Sequence, residues 1–411
     1  MGFVLLFATI GFAQSQQNAP VVPNKVSGAE AVLQRGTLTG WVPKTYVMGL
    51  MSDATAQVVQ TYPWGILQKE FKRDFPDFDL DFQILEREDF LQRLHSSRPD
   101  PPYPDMGFVD NGRELDPLMK DNAVVTMWGQ SRFRTNGWWV IFRQARNFEA
   151  GKAFMLWLSQ PSHWSPMPVR TTSIGPADIA KVQAISKEAA QGYAAVNPES
   201  LKSIMDPAAG HFNAFGPDGI IALESVEPAL TFGNSRLAFV LLAEIGHGEK
   251  AVKMAPSFGM THSMVILKKG GDGWKVLLLL PNRPLPQLEN LLRSFDRLGL
   301  DEGPPEAVPP VTLLAPENHA QLPRYPRGDL EWGPVDPTLA TYVIESEWGN
   351  PGGEHWVPSS IELVPPVSSE SSLRVKIPFG VGRQPHRWRV WAISKSGVVS
   401  MSEGRIIDFT N

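Results

Sequence analysis

Hydrophobic and polar positions along this chain fall into three successive patterns. Over residues 41–160, short apolar stretches alternate with amphipathic ones. Tyr46–Leu50, Met106–Val109 and Trp138–Phe142 are predicted strands, and Leu80, Phe82 and Ile84, alternating with Asp81 and Gln83, predict a half-buried one. Ile66, Leu67 and Phe71 share one side of a helix predicted over Trp64–Phe75; Phe90, Leu91 and Leu94 do the same over Asp89–Leu94. Asn147, with Glu149 in the first turn, predicts the start of a helix through Phe154 and Leu158. Strand–helix alternation of this kind predicts an α/β layer.

The second pattern covers residues 176–300. Gly175-Pro176 opens a helix with Pro in its first turn and Asp178 near its positive end. Ile179, Val182, Ile185, Ala189 and Tyr193 lie on one face, and a second short helix follows near Leu201–Met205. Leu237–Ala243 is a nearly all-apolar strand. Thr261–Leu267 and Trp274–Leu280 flank Gly270-Gly271-Asp272-Gly273, a strong hairpin signal, and a last helix ends over Ser294–Leu300.

The third pattern, over 313–411, is all strand and turn. Tyr342, Ile344 and Trp348 alternate with Val343, Glu345 and Glu347; Leu373, Val375, Ile377 and Phe379 alternate with Arg374 and Lys376. Trp388, Val390 and Ala392 alternate with Arg389 and Trp391. Strict period two between Gly/Pro turns predicts a β-sandwich. Two joints separate the patterns. Residues 161–175 form a Pro-containing linker with a Thr-Thr-Ser tract, and residues 301–312 a Pro- and acid-rich spacer.

Upstream, residues 14–40 are polar and rich in Gln, Asn, Gly and Pro, and are expected to be a flexible leader with structure beginning near Trp41. Residues 1–13, with the apolar stretch Phe3–Ala13 followed by Gln14-Ser15-Gln16-Gln17, read as a signal peptide lacking the usual basic start. The competing reading is a buried apolar segment.

Three resemblances follow. Leu67-Gln68-Lys69-Glu70-Phe71-Lys72-Arg73-Asp74-Phe75-Pro76-Asp77-Phe78, Pro104-Asp105-Met106-Gly107-Phe108, and Gly137-Trp138-Trp139-Val140 with Asn147 to Phe154 resemble extracellular solute-binding proteins of ABC importers. That family implies sugar binding between two lobes. The second lobe has no counterpart here, which argues against the ordinary transport role. The middle region, through Tyr193-Ala194-Ala195-Val196-Asn197, His262 to Leu267 and Gly273 to Leu278, resembles the NTF2-like cone, an α+β fold. The last region resembles a fibronectin type III module through Leu330-Glu331-Trp332, Tyr342-Val343-Ile344-Glu345 and His386 to Ile393 with Gly397 and Ser400. Trp388 stands where that family usually has Tyr.

Composition narrows the function classes. The chain has no cysteine, which excludes disulfides, thiolate chemistry and a lipid anchor of the lipoprotein type. The formal net charge of −5 is weak, and no block of like charges suggests a nucleic-acid partner. No stretch reaches about 18 apolar residues, so no stable membrane anchor is expected. A cysteine-free exported chain fits a bacterial periplasm or the medium.

His-Glu-x-x-His, Gly-x-Ser-x-Gly, the P-loop and a dinucleotide glycine fingerprint are all missing, so no cofactor or metal is expected. The weak catalytic candidates are Asp206, His211 and His262, with Asn213 nearby. A carboxylate holding an imidazole makes a general base. The alternative is that Asp206 caps its loop and His262 is an ordinary strand histidine. The ligand candidates are aromatic: Trp64, Trp128, Trp138, Trp139 and Trp391. An exposed indole face stacks on a sugar's C–H surface, and a Trp beside Arg389 makes an interaction patch. The alternative for each is packing against a neighbouring domain. Trp348 and Trp356 add to this surplus.

The expectation is therefore an exported, non-catalytic binding protein for a glycan or an envelope protein. The alternatives are an NTF2-like isomerase or hydrolase using a His/Asp pair, and an envelope scaffold.

Overall fold

The structure is a computed structural model. It describes residues 32–43, 63–96, 103–109, 112–115, 117–118, 123–130, 136–158, 173–195, 197–209, 222–247, 262–283, 285–305, 307–334, 339–349, 356–366, 372–379 and 382–410. The expected signal peptide, most of the leader, the Tyr46–Leu50 strand and most of the 161–175 linker lie outside these residues.

The first segment runs β1 (Gly36–Pro43), α1 (Pro63–Asp74), β2 (Phe78–Leu85), α2 (Arg87–Leu94), β3 (Met106–Val109), β4 (Val124–Gln130), β5 (Asn136–Phe142) and α3 (Phe148–Leu158). Lys72 and Arg73 sit in the last turn of α1, where they oppose the negative end of its dipole. Phe71 of α1 meets Phe75, Phe78, Phe154 and Trp157, with ring centroids 5.0 to 5.9 Å apart. The Trp157 indole N–H donates to Asp74 at 3.0 Å, which ties α3 to the end of α1.

β1 corrects the leader expectation. Its first five residues, Gly36 to Gly40, fall inside the 14–40 stretch, yet it is the inner strand between β2 and β3, parallel to both. Leu38, Trp41 and Val42 are buried, on both faces of the strand. Polar composition hid a strand whose few apolar residues all point into core.

Asp105 locks this layer. It is buried, and its carboxylate accepts from Thr39 N (2.9 Å), Thr39 Oγ1 (2.9 Å), Asn147 N (2.9 Å) and Asn147 Nδ2 (3.2 Å). Asn147 thus serves the carboxylate as well as the start of α3. An Asp105→Ala variant leaves those donors without their acceptor. It is expected to lose about 3 kcal/mol or more of stability, measurable by urea unfolding; a loss within ~0.5 kcal/mol would contradict the assignment.

The second segment runs α4 (Pro176–Ala194), α5 (Pro198–Ile204), β6 (Ala222–Gly233), β7 (Leu237–His247), β8 (His262–Gly270), β9 (Gly273–Arg283) and α6 (Leu285–Asp296). Asp178 in the first turn of α4 takes an ion pair from Lys269 at 2.6 Å. Val182, Ala189 and Tyr193 bury the face of α4 against Val240, Leu242, Val265 and Val276 of the sheet. Leu277 to Leu280 are all buried although β9 is a strand. The reason is that both faces are covered: Leu279 packs on the α4 side, and Leu278 and Leu280 join the other face with Leu288, Leu292 and Phe295 of α6.

The two segments share one sheet. Its nine strands include the path β2-β1-β3-β5-β4-β7-β8-β9, with β6 paired to β7. The junction is short: Val125 pairs with His247 and Thr126 with Gly246, just past the β7 residues, Leu237 to Ala243, that pair with β8.

The third segment runs β10 (Leu313–Ala315), β11 (Ala320–Pro323), β12 (Asp329–Trp332), β13 (Leu339–Gly349), β14 (Trp356–Val364), β15 (Leu373–Lys376), β16 (His386–Ser394), β17 (Val399–Met401) and β18 (Arg405–Thr410). It is a β-sandwich of a three-stranded sheet, β10-β12-β15, and a six-stranded sheet, β11-β18-β16-β13-β14 with β17 on β16. Trp332, Tyr342, Ile344, Trp388 and Val390 fill its core. The opposite face of the larger sheet carries Val343, Ile361, Trp391 and Ile393, and these belong to one hydrophobic cluster with α3, α6 and the middle sheet. All three segments therefore share a core.

The 301–312 spacer is pinned at its start. Asp301 N donates to Lys395 O at 2.8 Å, and Glu302 accepts from Ser235 N at 2.8 Å and from the hydroxyls of Ser173 and Ser235. These serine bonds, with Arg236 nearby, hold the Glu302 carboxyl below its usual range against the opposing effect of burial.

Candidate functional site

The expected His/Asp pair does not form from Asp206 and His262. Asp206 pairs with Lys268 at 3.0 Å, accepts from Ala208 N at 2.9 Å, and donates its own N–H to Val276 O at 2.8 Å. It therefore caps the 3-10 turn Pro207–Ala209. His262 is buried at the other end of β8, opposite Ala243 and Arg283. Along a strand, the six residues from His262 to Lys268 span roughly 20 Å. His211 and Asn213 lie outside the described residues.

Among the tryptophans, Trp139 is core, in edge contact with Phe108 and Phe154 at 5.2 and 5.5 Å. The side chains of Trp64, Trp128 and Trp138 lie outside the described residues. Trp391 points away from the sandwich core, as the alternation predicts, but it meets the middle segment instead of solvent and is fully buried. The open interaction patch is corrected to an internal contact. An alternating pattern reports which face a residue takes, not what covers that face.

Next to Trp391, the same face turns polar. Cross-strand register places Glu345 opposite Arg389 and Glu347 opposite Arg387. Arg389 Nε donates to Glu345 Oε2 at 2.5 Å, and the Trp391 indole N–H donates to the same oxygen at 2.7 Å. The other two nitrogens of Arg389 donate to the carbonyls of Ala208 and Ala209, the latter at 2.8 Å. Arg387 Nε donates to Glu347 Oε2 at 2.6 Å, its Nη2 pairs with the same oxygen, and its guanidinium lies 4.9 Å from the Trp356 ring centre. Glu345 and Glu347 are 3% and 8% exposed, which places both carboxylates out of bulk solvent. Together with Arg387, Trp388, Arg389 and Gly404 they line a cavity of about 140 Å³. No sequence motif marks this ladder; four charged residues alternating on two strands read as an ordinary solvated face.

A second polar group sits inside the middle segment. On β7, Val240 and Leu242 belong to the face under α4, and Glu244 continues that row. It is 5% exposed and accepts from Ser263 Oγ at 2.6 Å through Oε1, while Oε2 is buried without a hydrogen-bond partner.

No protein-family model matches this chain, and no curated protein does. Among solved structures, a superoxide reductase (neelaredoxin) from Ignicoccus hospitalis is similar over 25% of this chain and 82% of its own, at 11% identity and a TM-score of 0.18. The FN1–FN3 domains of chicken CNTN1 match 47% of this chain and 66% of theirs, at 11% identity and a TM-score of 0.17. Domains A168–A170 of titin match 47% and 56%, at 14% identity and a TM-score of 0.14. The chain spans less than two thirds of the last two. At these scores the sandwich rests on its own strand order. Among the described residues, no group of three His, Cys, Asp or Glu side chains is placed to hold a metal, and no helix is long and apolar enough to cross a membrane.

The two buried carboxyl sites share an electrostatic signature. Burial pushes Glu244 up to about 7 from an ordinary 4.5, against the Ser263 hydrogen bond. Burial also raises Glu347, helped by repulsion from Glu345 and opposed by Arg387. For Glu244 the sign is fixed. The folded state holds its proton up to a higher pH than the unfolded state does. Stability therefore falls as pH rises from about 4.5 to about 7, by an amount on the order of 3 kcal/mol. A Glu244→Gln variant cannot ionise there. Its melting temperature relative to the natural chain is expected to climb between pH 4.5 and pH 8. A pH-independent difference would contradict the burial.

Proposed function

We propose that this chain is an exported, non-catalytic binding protein for an extracellular or periplasmic glycan or protein partner. The observation that supports this best is the charged cavity on the sandwich, held by Arg389 against the middle segment. Two buried carboxylates and two half-buried guanidiniums with fixed mutual bonds make a preorganised polar surface, which lowers the ordering cost of binding. In this reading the sandwich is fibronectin III-like, the first segment a single solute-binding-type lobe, and the middle an NTF2-like cone supporting the other two.

The test is a glycan array together with binding to defined envelope fractions, using the natural chain and a Gly404→Val variant that fills the cavity. Binding that the variant loses supports the reading. Binding that the variant keeps, or no binding at all, removes it.

An enzyme reading has one observation of its own, the half-satisfied Glu244 beside Ser263. A carboxyl titrating near neutrality is suited to proton transfer. Isomerase or hydrolase turnover abolished in Glu244→Gln and kept in Gly404→Val would favour it over binding at the sandwich.

A further inference from the structure

The cavity at Glu345 and Glu347 has spare acceptors. Among the described residues, both carboxylates use Oε2 for every hydrogen bond they make, and Oε1 of each takes none. Neither Oε1 is shut away from the cavity, since neither is among the buried atoms lacking a partner. About half of the guanidinium N–H donors around it are already committed. Arg389 has Nε, Nη1 and Nη2 all engaged, two of them by backbone carbonyls of the middle segment. Arg387 gives Nε and Nη2 to Glu347 and stacks on Trp356, which leaves Nη1. An anion entering here would meet two open carboxylate oxygens. A cation would meet two acceptors that need donors.

Size and shape narrow the cation. Sites for whole small molecules run from about 300 Å³ upward, so a cavity of about 140 Å³ takes a head group or a side-chain tip. Glu345 and Glu347 are alternate residues of β13, roughly 6.6 Å apart along the strand. Each presents one oxygen, so a guanidinium fork has no bidentate partner. An ammonium, compact and with three rotatable donors, can reach both. We propose that this cavity binds a primary ammonium group, carried by a small amine or by a lysine side chain, between Oε1 of Glu345 and Oε1 of Glu347. The inference rests on the cavity being the binding site proposed above. The raised proton affinity of Glu347 agrees with it: burial first, then repulsion from Glu345, disfavours its bare charge despite Arg387 and Arg389.

The test follows the indole N–H resonance of Trp391, which is bonded to Glu345, while probes are titrated into the full chain. Methylammonium is expected to shift it, with a Kd on the order of 10 mM set by the probe's two heavy atoms. Ethanolamine and Nα-acetyl-lysinamide separate the two sources of the group: the tighter of them names which one the site prefers. Acetate and methyl glucoside are the comparison probes. Glu347→Gln is expected to weaken methylammonium at least tenfold. Gly404→Val is the second variant. A Cβ at Gly404 stands 3.6 Å from Arg387 Cδ, so Cβ itself fits and only the added methyls enter the cavity, with the ion pairs left in place. It should abolish the shift while the near-ultraviolet spectrum stays native. If acetate or the glucoside shifts the resonance and methylammonium does not, the ammonium assignment is wrong while the binding cavity stands. If no probe shifts it, both are wrong. If methylammonium shifts it equally in Gly404→Val, the ammonium binds elsewhere and the proposal is overturned.

Discussion

Replacing Trp391 with alanine is expected to lower the unfolding free energy by about 5 kcal/mol. A fully buried Trp truncated to Ala in a packed core costs about 3–5 kcal/mol through lost transfer energy and the cavity left behind. Here a second loss adds to it. The indole N–H is one of two donors on Glu345 Oε2, so the variant leaves a carboxylate that is 3% exposed with a single partner. The position also lies where the sandwich meets the middle segment, in the cluster shared with α6 and the nine-stranded sheet. Guanidinium unfolding followed by circular dichroism should therefore show an earlier midpoint, and a single transition should separate into two as the sandwich loses its support. Trp391→Phe keeps most of the ring and removes only the donor, so its loss should be less than half as large. A change of under ~1 kcal/mol in Trp391→Ala would mean that the sandwich does not dock through this residue.

Asn234 is expected to be nearly as costly, for a different reason. It is wholly buried in the turn between β6 and β7, and its amide is saturated. Oδ1 accepts from Arg236 N and Leu237 N, both at 2.9 Å, and Nδ2 donates to Asp301 O at 2.7 Å and to Ser396 O at 2.9 Å. One side chain thus closes the hairpin and joins it to both the spacer and the sandwich. Asn234→Ala strands two backbone donors and the Asp301 carbonyl, while Ser396 O keeps only Arg236 Nη1 at 3.1 Å, and about 4 kcal/mol should be lost. Asn234→Asp keeps the shape and the Oδ1 acceptor but sets a negative charge between two carbonyl oxygens, so it should not rescue stability. Hydrogen exchange at the amides of Arg236 and Leu237 reads the local loss directly, and unchanged protection there would contradict the assignment. Gly397 shows how closely Asn234 is held: it has φ of +83°, and a Cβ there would stand 2.6 Å from Asn234 Oδ1. Any side chain at Gly397 meets both backbone strain and the amide.

Much of the secondary structure was legible because its physical causes are local. The period-two alternation of Tyr342, Ile344, Trp388 and Val390 put these residues in the sandwich core, where they lie. The glycines at 270, 271 and 273 marked the β8–β9 turn, which closes with Gly273 at φ of +98°. Gly175-Pro176 marked the start of α4. The misses were of two kinds. The first half of β1, Gly36 to Gly40, reads as leader because Leu38 is its one large apolar residue among Gly and Thr. β6 was not anticipated, since its pattern is broken by Pro228 and by register shifts against β7. Of the site candidates, Trp391 takes the outward face that its alternation predicts but finds it covered, and Asp206 caps its loop, which is one of the two readings the sequence offers for it.

The sequence by itself determined the strands and helices with clear periodicity, the β-sandwich at the end, and the absence of thiol chemistry. Those features depend on residues a few positions apart, or on composition. Only the tertiary structure decided that the first two segments share one sheet, that all three share a core, and that Glu345, Glu347, Arg387 and Arg389 enclose a cavity. Each of these depends on which faces meet: β4 on β7, the sandwich on α6, and the turn Pro207–Ala209 against Arg389. A pattern of polar and apolar positions says that a face is to be covered, but long-range packing chooses the cover.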